Sequence, residues 1–165
     1  MCARSSDRFR RRAQLGFTMM ELVVIITLLG VLAVVVMPKM DAALSLRHDT
    51  ARDEVLSALR YAGQTALSHR RLVCADVSAT AVTLRIASAR PASACNTALA
   101  GPDGSASFTA NAGNAALAVS PSGTLYFQPD GRVTSDGAGN STSARTLTVS
   151  GAPSISISGE TGLVR

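Results

Sequence analysis

No tryptophan occurs in this chain, and aromatic residues make up only 4% of it. The histidines are two, His48 and His69, and both fall in a stretch of helical pattern, where they are expected to be solvated. Serine is abundant, yet no GxSxG elbow with a base partner is present, which leaves no hydrolase triad. The segment "GPDGSAS" lacks the lysine and the strand–helix setting of a phosphate-binding loop. Cys74 and Cys95 have no further ligands at metal-site spacing. The expectation is therefore a chain that is not an enzyme, with no cofactor and no metal.

Acidic residues are also few, 11 against 16 Lys and Arg, for a net charge of +5. The excess is local. Residues 1–16 hold Arg4, Arg8, Arg10, Arg11 and Arg12 against Asp7, which is +4 and leaves only +1 elsewhere. Nucleic-acid binding needs clustered Lys and Arg for phosphate contacts. The mature chain offers Arg132, Arg145 and Arg165, and they do not cluster in sequence. A basic cluster just ahead of an apolar run is instead an orientation signal that keeps the N-terminus in the cytoplasm.

That run is "GFTMMELVVIITLLGVLAVVVMP", and from Phe17 to Met37 its only charge is Glu21. At 1.5 Å per residue the segment would extend about 30 Å, the thickness of a bilayer core. A cleaved secretory signal would have a shorter apolar core and a small-residue cleavage site, which "LAVVVMPKM" does not offer. A plain signal anchor accounts for the length and the arginines but not for Glu21. A carboxylate inside an apolar helix is costly and usually faces a partner.

The segment resembles the prepilin signature of type IV pilins and type II secretion pseudopilins: Gly-Phe-Thr, then Glu, an apolar run and Pro, preceded by arginines. The resemblance implies cleavage by prepilin peptidase between Gly16 and Phe17, with N-methylation of Phe17. It implies that Glu21 supports docking into a filament and that Pro38 marks a bend in a long helix. The new α-ammonium of Phe17, on the same or an adjacent copy, would neutralise Glu21, which would also sit in the first helical turn. The implied fold is α+β and pilin-like, a long N-terminal helix packed on a C-terminal antiparallel β-sheet head. Its parts would be a leader 1–16, an apolar helix 17–40, and a head 41–165 with an amphipathic helix 41–69 and a β region 71–165. The implied localisation is a single pass through the inner membrane with a periplasmic head, or a periplasmic or cell-surface filament after assembly. The implied partners are other pilins or pseudopilins, prepilin peptidase and an inner-membrane assembly platform.

In residues 41–69, Ala51, Val55, Leu59, Ala62 and Ala66 recur at spacings of three and four, one face of an amphipathic helix. Arg52, Asp53, Arg60 and Gln64 fall largely off it. The run "LRYAGQTALSHRRLVC" and the closing "ISISGETGLVR" are similar to GspH/FimT-type minor pilins and pseudopilins. With two head cysteines, they are similar also to minor pilins of the mannose-sensitive haemagglutinin pilus.

"RLVCADVSATAVTLRIA" reads as a hairpin broken at "SAT". "AALAVS", "GTLYFQ", "RTLTVSG" and "SISISG" are further strands, with "PSG" and "PDG" as turns. The stretches 87–114 and 134–144 read as loops. Cys2 belongs to the leader; Cys74 and Cys95 remain as an even pair that reads as a disulfide, with two free thiols as the alternative. The functional expectation is a minor pilin or pseudopilin that takes part in assembly or the tip of a filament. The alternatives are a DNA-binding minor pilin of natural transformation and a plain membrane-anchored periplasmic domain.

Overall fold

The structure, a computed structural model, describes residues 17–165, the side chains of 34–45 excepted. The leader with Gly16, and the side chain of Pro38, lie outside the described residues. The chain divides into two compact units, Met1–Asp41 and Ala42–Arg165, and helix α1 (Met19–His69) contributes to both.

The start and end of α1 follow from local chemistry. Thr18 precedes the first helical residue, and its Oγ1 accepts the Glu21 backbone N–H at 3.2 Å, satisfying one of the orphan donors of the first turn. At the other end Arg71 N–H bonds the Ala66 carbonyl at 3.2 Å and Arg70 N–H the Leu67 carbonyl at 3.4 Å. Arg70 itself takes a left-handed φ of 49°. This is the two-bond closure in which a left-handed residue ends a helix, a place that glycine usually fills.

In the second unit the expected apolar face is the buried one: Ala51, Val55, Leu59, Ala62 and Ala66 are all in the core. Their small side chains let the sheet come close. A β-carbon added at Gly63 would already lie 3.6 Å from the Phe127 ring. The strands they meet form antiparallel sheets. Strands β1 (Val73–Val77) and β2 (Ala81–Ile86) form the expected hairpin, in register from Val73 opposite Ile86 to Val77 opposite Val82. Ser78 closes the turn, its N–H bonding the Ala81 carbonyl at 2.8 Å and its Oγ accepting the Ala81 N–H at 3.0 Å.

Strand β6 (Leu125–Phe127) lies on the other side of β1, and β7 (Val133–Thr134) on β6. The outer edge of β2 carries both β3 (Thr97–Ala98) and β4 (Thr109–Asn111). A second sheet has the order β5 (Leu117–Ser120), β8 (Arg145–Val149), β9 (Ile155–Ile157). Strand β8 alternates buried and exposed, which places Leu147 and Val149 in the common core with Ile155 and Ile157. The architecture is thus α+β with antiparallel sheets.

Two expectations need correction. Strands β3 and β4 lie in the stretch read as a loop over 87–114, and β7 ends at Thr134, where the next one was read to begin. They have two or three residues each, and β3 and β4 come from Ala-, Ser- and Thr-rich sequence without apolar alternation. The second correction concerns the single inner-membrane pass with a cytoplasmic N-terminus and periplasmic head. Among the described residues no helix is long and apolar enough to cross a membrane.

Candidate functional site

In the first unit, apolar side chains cover every side of the described part of α1. Phe17 is 75% exposed, Met19 87%, Leu22 57%, Ile26 57%, Leu29 59% and Leu32 58%. A helix that is apolar all round is normally covered by something. Twelve large apolar residues between Phe17 and Leu32 are exposed. At about 1.5 kcal/mol for each of the twelve side chains, burying them would yield roughly 20 kcal/mol gross. That is of the same order as the about 4–15 kcal/mol that association costs.

Glu21 sits in the first turn of this helix, exposed, where the helix dipole favours an anion. Phe17 is adjacent to the cap and exposed. Sequence reasoning missed Thr18, although the signal was there: "TMME" is a Thr three residues ahead of a Glu, the pattern of a capping box. The structure thus brings Phe17, Thr18 and Glu21 together at a helix start. Gly16 and Pro38 fall outside the described residues.

In the second unit Cys74 and Cys95 form a disulfide with Cα atoms 6.0 Å apart. It ties buried Cys74 on β1 to the loop after β2, and that loop segment packs with Leu72, Ala87 and Tyr126 in a small cluster of its own. The bond closes a 21-residue separation, worth about 3 kcal/mol if it acts by restricting the unfolded chain, a mechanism that is model-dependent.

The arginines considered for phosphate contact are already engaged. Arg132 Nε donates to Asp130 Oδ2 at 2.7 Å. Asp130 is consequently held below its ordinary carboxylate range; partial burial pushes it up, but the Arg132 backbone N–H and guanidinium together outweigh that. Arg145 is buried, its Nη1 donating to the Pro121 and Ser122 carbonyls, and its Nε has no partner among the described residues. Arg165 Nε donates to Ser156 Oγ at 3.3 Å. His48, expected to be solvated, is half-buried, and a β-carbon added at Gly151 would lie 2.8 Å from its ring. His69 is exposed. Among the described residues no cluster of His, Cys, Asp and Glu suits a metal ion.

Two adjoining clefts lie at the end of α1. One, of about 670 Å³, has Arg60, Leu67, Phe127 and Leu163 among its walls. The other, of about 630 Å³, is lined by Leu67, Arg70, Arg90, Pro91 and Pro129. Among the described residues neither wall includes a carboxylate. A smaller cleft of about 300 Å³ lies between Arg47, His48 and Glu54 of α1 and the loop at 111–115, where Glu54 Oε1 accepts the Asn111 N–H at 2.9 Å. Compared with known proteins, the chain matches no family model, no curated protein and no solved structure.

Proposed function

We propose that this chain is a minor pilin or pseudopilin, a structural subunit of a filament of the type IV pilus or type II secretion kind. The observation that carries the reading is the first unit: an all-round apolar, exposed helix with Thr18 as its cap and Glu21 in its first turn. Helices of this kind from several copies or relatives would cover one another, and the second unit would stand as the pilin head. Prepilin peptidase would cut between Gly16 and Phe17. The freed and methylated α-amine of Phe17 would then be a cation at the helix start, four residues from Glu21 and available to its own or a neighbouring carboxylate. The α+β class of the second unit, with helical Ala51–Ala66 packed on antiparallel sheets, supports this reading at the level of fold class.

The test separates insertion into a filament from folding. Glu21→Ala should leave the thermal unfolding of the head unchanged and lower the assembled fraction of the subunit by at least about tenfold, an effect of about 1.4 kcal/mol or more. An unchanged assembled fraction would count against the reading.

A further inference from the structure

The outward face of α1 in the second unit carries opposite charges at its two ends. Leu46, Asp49 and Asp53 fall at helical spacings of three and four, on one exposed face opposite the buried Ala51–Ala66 face. The same face continues through Ser57, Arg60 and Gln64 to Leu67, about 30 Å along the helix from Leu46. At that end stand the two clefts described above. Arg70 and Arg90 have no side-chain hydrogen bond or ion pair among the described residues, and Arg60 spends only its Nε, on the Val164 carbonyl at 3.2 Å. Leu67 is 51% and Leu163 56% exposed, so the cationic walls have an apolar floor. The left-handed φ of Arg70, uncommon for a residue with a side chain, holds this arginine at the helix end.

The other charges nearby do not cancel this pattern. Asp130, next to the clefts, is taken by Arg132, and Glu160, beside the cleft-lining Thr161, accepts the Thr142 hydroxyl. At the acidic end Arg52 is turned aside to the Pro153 carbonyl at 2.9 Å and touches only Oδ1 of Asp53, at 3.3 Å. Arg47 lies within the turn but about 100° round the helix from Leu46, where it lines the small cleft with Glu54, which accepts the Asn111 N–H, and His48 packs on Gly151. Leu46 is 67% exposed, and Asp49 and Asp53 are exposed beside it.

We propose that the clefts at the end of α1 receive the Leu46–Asp53 turn of a second copy of this chain, so that heads stack head-to-tail. Leu46 enters between Leu67 and Leu163, and Asp49 and Asp53 meet Arg60, Arg70 and Arg90. A contact between two different patches does not close on itself; repeated, it yields an open row. This inference rests on the filament reading and names one of its subunit contacts. Electrostatic complementarity of this kind sets register and partner choice and weakens in salt.

The test uses the full chain with Cys2→Ser, Leu46→Cys and Leu163→Cys, under mild oxidation, read on non-reducing gels alongside electron microscopy for filaments. A ladder of dimer, trimer and higher species is expected. Adding Asp53→Arg or Arg70→Asp should lower the ladder about tenfold. Mixing the two charge-reversed chains should restore a crosslinked dimer. A product that stops at dimer in the parent chain would mean a closed, symmetric pair and would overturn the head-to-tail contact. So would a ladder indifferent to both charge reversals, or no crosslink while filaments form; the last leaves the filament reading standing. Absence of both filaments and ladder would also overturn the head-to-tail contact.

Discussion

Three residues set the chemistry of the helix start: Phe17, Thr18 and Glu21. Thr18→Ala removes the cap on the Glu21 N–H and should fray the first turn, at about 1 kcal/mol. Amide exchange of residues 19–22 should speed up accordingly. The disulfide makes a larger prediction. Replacing Cys74 and Cys95 by Ser should lower the unfolding free energy of the head by about 3 kcal/mol, read as a shift in urea midpoint. The two head cysteines were legible as a pair once Cys2 was assigned to the leader, whereas the Thr18 cap was present in the sequence and overlooked. Asp130 gives a pH signature. Its folded pKa lies below its ordinary 3.8, so its contribution is present at neutral pH. That contribution is lost as the pH falls below about 4 and through the lowered value. Asp130→Asn should flatten part of the acid limb of the stability curve and leave neutral-pH slopes alone.

Helix α1 and the hairpin were legible because each repeats its apolar pattern. Ala51, Val55, Leu59, Ala62 and Ala66 mark one face at a period of 3.6, and Val82, Leu84 and Ile86 alternate along β2. Strands β3, β4 and β7 were not legible, because a strand of two or three residues has no period to read. Their pairing is decided by β2 and β6, which offer open edges. The helix–sheet contact is the element most sensitive to substitution. Leu59, fully buried, should cost about 2–5 kcal/mol as Leu59→Ala. Gly63→Val should also destabilise, since its added methyls extend toward the Phe127 ring from a β-carbon already 3.6 Å away. Thermal denaturation of each variant against the parent measures both.

The two units pose different problems for the molecule. Ala42–Arg165 buries a shared core of helix and sheets; in Met1–Asp41 the described apolar side chains remain exposed. The sequence pattern from Gly16 to Pro38 made the apolar segment and its one carboxylate plain, and it prompted an expected membrane pass that no helix among the described residues supports. No pattern within one chain specifies what covers the segment. In the filament account the cover is a set of equivalent helices, and the mature N-terminus is Phe17. The most direct measurement is chemical crosslinking in the producing cells, followed by purification and mass spectrometry of the N-terminal peptide and the attached partners. The account predicts a chain that begins at methylated Phe17 and is joined to pilins or pseudopilins. An uncut N-terminus with no pilin-like partner would contradict it.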